Sequence, residues 1–305
     1  LIQVPLLADS HNQFSTSNTS SYKDIIQKAT VLIYPGENEP GSGVLVKKDG
    51  NLYFILTAAH VVCKEKVSFP DTEEFLVVTS DKSQHENSRG SQLNVSCPPI
   101  LKEVQRSNAL CSRAFTESYP WPIDLAVISF KSDAIYKVAK RYSSIKRNGR
   151  DVYVGGYPLS EIDPFNPSES KLRIVKSEGT VDVPPSLLQA TCRGYGLRYL
   201  VPTEKGMSGG GVWTKKGRLV GIHGYREVSQ KGNIAFGRGS ISAGIHMPYW
   251  QAMIDPFDPS KGFPISITST DEVIDVPALI SRARSLVNRS RAPGANISDT
   301  NFKNS

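Results

Sequence analysis

Lys205-Gly206-Met207-Ser208-Gly209-Gly210-Gly211-Val212-Trp213 is the stretch whose reading decides the fold. A serine stands among glycines, and β-prone residues follow almost at once. A helix starting directly after Ser208 would make G-x-S-x-G an elbow between a strand and a helix. The residues read otherwise. Val212-Trp213 runs into Lys216-Gly217, a turn signal, and then into 218–223, so the segment is strand, turn, strand.

The same punctuation extends outward on both sides. Residues 29–34 are β-rich and end at Pro35-Gly36. Residues 41–46 and 52–57 read as strands joined by an Asp49-Gly50 hairpin turn, and one helical turn over 58–62 then carries His60. Residues 123–130 form a continuous apolar run of the kind buried on both faces, with Asp124 at its start. Further strands are expected over 151–157, 172–183, 197–201 and 234–245, and a short closing helix from Pro248. Many short strands with Gly and Pro turns, and few helices, predict an all-β barrel or sandwich.

Composition narrows the class. Of 305 residues, 39% are hydrophobic and 21% charged, which suits a globular chain with a sizeable core. No run of about 18 apolar residues occurs, so no membrane span is expected. The net charge of +7 comes from scattered basic residues without interleaved aromatics, which argues against a nucleic-acid partner. The chain opens Leu1-Ile2-Gln3-Val4-Pro5 with no basic and apolar leader, and reads as a processed product or fragment. Cys63, Cys97, Cys111 and Cys192 permit three complete pairings, of which a Cys97–Cys111 clamp is the one expected; none makes a C-x-x-C zinc pair. No metal site and no organic cofactor is expected.

Chemistry enters when three stretches are set together. A serine is a weak nucleophile until an imidazole takes its proton, and a carboxylate must hold that imidazole in one tautomer. Thr57-Ala58-Ala59-His60, Asp124-Leu125-Ala126-Val127 and Gly206-Met207-Ser208-Gly209-Gly210 supply such groups in the order His, Asp, Ser. That order and those flanks resemble the chymotrypsin-like (trypsin-like) serine peptidases over roughly residues 25–255, with bacterial HtrA-like and glutamyl-endopeptidase-like members most similar. The resemblance implies two six-stranded antiparallel β-barrels with the active site in the cleft between them, plus a short C-terminal helix and tail. It divides the chain into an N-terminal arm (1–24), a first barrel (25–140), a second barrel (141–255) and a C-terminal extension (256–305). It implies catalysis by His60, Asp124 and Ser208, an oxyanion hole from the N–H groups of Gly206 and Ser208, a polypeptide substrate, and an exported, secreted or periplasmic, location.

Departures from the family pattern carry information too. Gly211 stands where the family usually has proline. Met207 stands where members activated by propeptide removal have aspartate, so no amine–carboxylate switch is expected. Pro202 occupies the place of the aspartate that gives trypsin its basic preference, while Thr203 and His223 resemble the pair with which glutamyl endopeptidases bind an acidic side chain. Gly224 and Tyr225 would offer a strand edge to the substrate main chain. Two rival readings remain: a two-barrel fold kept as an inert binding or scaffold module, and an esterase of the α/β-hydrolase type built on the G-x-S-x-G elbow, with His223 or His246 as its only later histidines.

Overall fold

Strand β3, Leu52–Thr57, lies at the centre of the first half of the molecule, and its sequence explains its place. In Leu-Tyr-Phe-Ile-Leu-Thr every residue after the first is buried. Alternate side chains enter different cores: Tyr53 and Ile55 join one apolar cluster, and Phe54 and Leu56 another. A strand buried on both faces has no polar alternation to show, and this one has none. The computed structural model describes residues 21–34, 39–63, 76–86, 93–98, 123–141, 151–177, 195–227 and 241–246. The expected closing helix, the C-terminal extension, most of the N-terminal arm, Cys111 and Cys192 lie outside them.

The first sheet runs β5-β4-β1-β2-β3-β7-β6. Its members are β1 (Thr30–Tyr34), β2 (Gly41–Asp49), β3, β4 (Leu76–Val78), β5 (Gln84–Glu86), β6 (Asn94–Ser96) and β7 (Ala126–Lys131). Between β3 and β4 comes the short helix α2, Ala59–Val62. The β2–β3 hairpin turns at Gly50, whose φ of 58° is the left-handed conformation that glycine adopts without penalty. The second sheet is made of β8 (Lys140–Arg141), β9 (Val152–Gly156), β10 (Arg173–Lys176), β11 (Tyr195–Leu200), β12 (Gly211–Thr214), β13 (Arg218–Glu227) and β14 (Ile241–His246). Its antiparallel order is β10-β9-β12-β13-β14-β11, and β8 joins β13 in parallel. The architecture is therefore all-β, built of two antiparallel barrels. Among the described residues each sheet has seven strands, counting the short β5 and β6 in the first and the short β8 in the second.

One element was not foreseen. Helix α1, Tyr22–Ala29, precedes β1. Its signal is present in the sequence: Tyr22, Ile25, Ile26 and Ala29 fall at i, i+3, i+4 and i+7, one face of a helix. Ile26 is fully buried in the core that the two halves share, and the Tyr22 ring lies 4.5 Å from Tyr153 of β9. An ion pair between Asp24 and Lys28 (2.9 Å) lies along its exposed side. The helix thus ties the residues that lead into β1 onto β9.

Cys63 closes α2 by a disulfide to Cys97, with the two Cα atoms 5.8 Å apart. This corrects the expected Cys97–Cys111 clamp. Cys63 is brought to Cys97 because α2 follows the central strand β3 while Cys97 directly follows β6, and both strands pair with β7. Sequence proximity favoured the shorter loop, but sheet topology decided the pairing.

Candidate active site

Asp124 anchors the site. It lies two residues before β7, and its side chain has no exposure to solvent. Oδ1 accepts the backbone N–H of His60 at 2.8 Å, and Oδ2 lies 2.7 Å from His60 Nδ1. The carboxylate therefore holds both the ring and the main chain of His60, and fixes where the imidazole points. The Tyr195 hydroxyl also donates to Oδ2. Burial alone pushes the Asp124 carboxyl up. The charge on His60 and the donors from His60 and Tyr195 outweigh that, and hold it below the usual carboxylate range. The His60 side chain itself keeps 19% of its surface exposed.

The loop bearing Ser208 is clamped to the first barrel by Ser42 of β2. Ser42 donates its hydroxyl to the Gly206 carbonyl (2.8 Å), accepts the Tyr157 N–H on the same oxygen (2.8 Å), and gives its own N–H to the Ser208 carbonyl (2.8 Å). Gly209 is pressed between the halves: a Cβ there would come within 2.2 Å of Thr57 Oγ1 and 3.0 Å of Ala58 N. Ser208 is thereby seated beside the strand end that delivers His60. Its hydroxyl donates to the Gly224 carbonyl at 2.8 Å.

The backbone at Gly206 is built for glycine, with φ 90° and a Cβ position only 2.4 Å from the Tyr157 carbonyl oxygen. The Lys205 carbonyl is held by the Leu159 N–H (2.7 Å), and the Met207 carbonyl by the Gly210 N–H (3.0 Å). A trans peptide points its N–H opposite to its C=O. The N–H groups of Gly206 and Ser208 consequently point away from those anchors, and among the described residues neither donates to a backbone carbonyl.

Of the expected pocket residues, Thr203 and His223 are almost fully buried, at 2% exposure each, and Pro202 is exposed. His223 Nδ1 lies 2.6 Å from the Tyr199 hydroxyl, and Thr203 Oγ1 lies 2.9 Å from Ser242 Oγ. Burial raises the Tyr199 phenol well above its ordinary range, so it keeps its proton. Gly224 is the bulged residue of β13, between the pairs His223–Gly244 and Tyr225–Ala243. Tyr225 continues β13 along β14; its backbone alone is described. Gly211, which replaces the family's usual proline, has its own reason: the Trp213 indole folds back over it, so a Cβ would meet Nε1 at 2.3 Å. Met207 is fully buried in the shared core.

Sequence reasoning missed Ser42, Tyr195, Tyr199 and Ser242. The first lies in Gly41-Ser42-Gly43, where two glycines around a polar residue in a core strand signal a close approach. The tyrosines carried no local signal. The elbow reading is overturned: Ser208 leads into strand β12 of an antiparallel sheet, where an α/β-hydrolase needs a helix beside a parallel one.

Two antiparallel barrels, with a His60–Asp124 pair in one and a Gly-x-Ser-Gly-Gly loop in the other, are the architecture of the two-barrel trypsin-like class. Residues 41–222 match the sequence profile of the trypsin-like peptidase domain, and the chain belongs to that family. No curated protein matches the sequence. Among solved structures, the chain is similar to a serine endoprotease from Yersinia pestis (16% identity, TM-score 0.48), covering 77% of this chain and 66% of that one. It is also similar to an HtrA-type protease, AlgW, solved with a tripeptide (16% identity, TM-score 0.49), covering 77% of this chain and 63% of that one. This chain thus spans less than two thirds of the length of either.

Among the described residues no helix is long and apolar enough to cross a membrane, and no group of three or more His, Cys, Asp or Glu is placed to hold a metal ion.

Proposed function

We propose that this chain is a serine endopeptidase that cleaves peptide bonds through an acyl-enzyme. Ser208 is the nucleophile, His60 the general base and then acid, and Asp124 the group that orients His60. The observation that carries this reading is the two-point hold of the buried Asp124 on the ring and the main chain of His60. With Nδ1–H donated to the carboxylate, Nε2 is left as the acceptor a serine proton needs. The Ser208 hydroxyl leaves the Gly224 carbonyl and turns about χ1 to meet Nε2 as substrate enters. The N–H groups of Gly206 and Ser208 receive the oxyanion, an arrangement whose single donors are worth about 3 kcal/mol in related sites.

The substrate backbone lies along β13 at Gly224 and Tyr225, adding a strand beyond the point where β12 stops pairing at Ile222. We assign the pocket for the residue before the cleaved bond to Thr203 and His223, with acidic side chains preferred. Tyr199 donates to His223 Nδ1, which turns an Nε2–H toward a carboxylate. The Thr203 hydroxyl is engaged by Ser242, so His223 makes the leading contact. The Cys63–Cys97 bridge supports an oxidising compartment and hence export. Cleavage-site profiling on a peptide library tests the whole reading, with Ser208→Ala as the control. Cuts after Glu or Asp that vanish in the control are expected. A profile peaking at Arg, Lys or Phe rejects the pocket assignment, and cleavage that persists in Ser208→Ala rejects the mechanism.

A further inference from the structure

We propose that Tyr195 is a positioning residue for catalysis, a strut from the second barrel that fixes the Asp124 carboxylate of the first. Its hydroxyl donates to Oδ2, the oxygen that also faces His60 Nδ1. Without it, among the described residues, the carboxylate's side-chain anchor would be His60 alone, and acid and base could swing together as one unit. With it, the pair is referenced to β11, on the side of the cleft that carries Ser208.

The surrounding backbone is shaped to admit this ring. Gly224 has no side chain because a Cβ there would lie 2.0 Å from Tyr195 Cε1 and 2.2 Å from its hydroxyl oxygen. The register of β13 against β14 shifts at Gly224, and the register of β11 against β14 shifts between Tyr195 and Leu197. Bulges re-aim side chains, and of these two one lies at the backbone of Tyr195 itself and the other at Gly224, against its ring. The same Gly224 gives its carbonyl to the Ser208 hydroxyl. Tyr195 therefore packs against the residue that holds the nucleophile while its oxygen holds the acid. A buried tyrosine that merely needed a hydrogen-bond partner would require neither bulge at this point.

The inference rests on the roles proposed above for Asp124, His60 and Ser208, and its test separates the two. Tyr195→Phe is compared with wild type on a peptide substrate, with rates expressed per active site titrated by a fluorophosphonate, so that unfolded protein is not counted. A roughly tenfold fall in kcat with KM unchanged is expected, the size of one charge-assisted hydrogen bond partly realised in the transition state. The acid limb of kcat/KM moves to higher pH, because a carboxylate with one donor fewer holds the imidazolium more strongly. A merely structural tyrosine would lower Tm and leave both readouts unmoved, and that result overturns the proposal. If Tyr195→Phe does not fold, the pair Tyr195→Ala and Tyr195→Ala/Gly224→Ser decides. The serine hydroxyl would enter the space that the phenol oxygen leaves, so regained kcat supports the strut, and none in a folded double variant rejects it. Ser208→Ala runs alongside: turnover surviving there removes the proposed function itself, whereas a dead Ser208→Ala beside an unchanged Tyr195→Phe removes only the strut.

Discussion

Gly206→Ala is the substitution whose consequence can be worked furthest from the structure. At φ 90° an alanine lies outside the regions open to L-residues, which costs about 1–3 kcal/mol of stability. Its Cβ would also stand 2.4 Å from the Tyr157 carbonyl oxygen and 2.8 Å from the Leu159 nitrogen, both backbone atoms. Bringing the first contact out to 3.0 Å, where real Cβ contacts begin, requires a shift of at least 0.6 Å. That already exceeds the tolerance of roughly 0.5 Å within which a catalytic constellation works. The peptide that must move carries the Gly206 N–H. A fall of about 100- to 1,000-fold in kcat is therefore expected, the usual result of losing one oxyanion donor. Gly50→Ala is the matched control. It too has a positive φ, 58°, but nothing lies within 4 Å of its Cβ position. It should lose about 1–2 kcal/mol of stability and leave kcat/KM unchanged. The assay is kcat/KM per titrated active site, beside urea unfolding of both variants. If Gly206→Ala matches Gly50→Ala in activity, the oxyanion-hole reasoning fails.

Replacing Cys63 and Cys97 together by serine opens a loop spanning 34 residues and should cost up to about 4 kcal/mol in urea unfolding; no loss would mean that the bridge does not form in the native protein. His85 is half-buried against Phe130 with its Nε2 at the Tyr136 hydroxyl, and burial lowers its pKa below 6.5 against the opposing pull of Asp81. The unfolded chain then takes up that proton first as pH falls, so His85 withdraws stability below about pH 6.5. His85→Phe should lose less Tm between pH 7 and pH 5 than wild type does, and an equal loss contradicts the assignment. Met207 is fully buried in an apolar core and itself carries no carboxylate to meet a new amine, so adding one residue before Leu1 should leave kcat/KM unchanged; activity that demands one particular free N-terminus would refute this.

How far the sequence could be read depended on whether a signal was local. Asp49-Gly50 and Leu52–Thr57 declared a hairpin because turn chemistry and unbroken burial are written in adjacent residues. His60, Asp124 and the Gly206–Gly210 loop were visible because each carries its own flanks. The Tyr195–Asp124 and Ser42–Gly206 bonds span 71 and 164 residues, and nothing beside either residue announces its partner. The Cys63–Cys97 pairing was likewise hidden, because it depends on β3 and β6 both pairing with β7. Helix α1 is a different case. Its apolar face was legible, but the polar run before it drew residues 21–24 into the arm.

The most direct test of the central claim is covalent labelling by a fluorophosphonate, mapped by mass spectrometry. Activation of Ser208 by the held imidazole predicts one adduct, on Ser208, that disappears in Ser208→Ala and forms far more slowly in His60→Ala. Labelling of another serine, or an undiminished rate on Ser208 in His60→Ala, would contradict it.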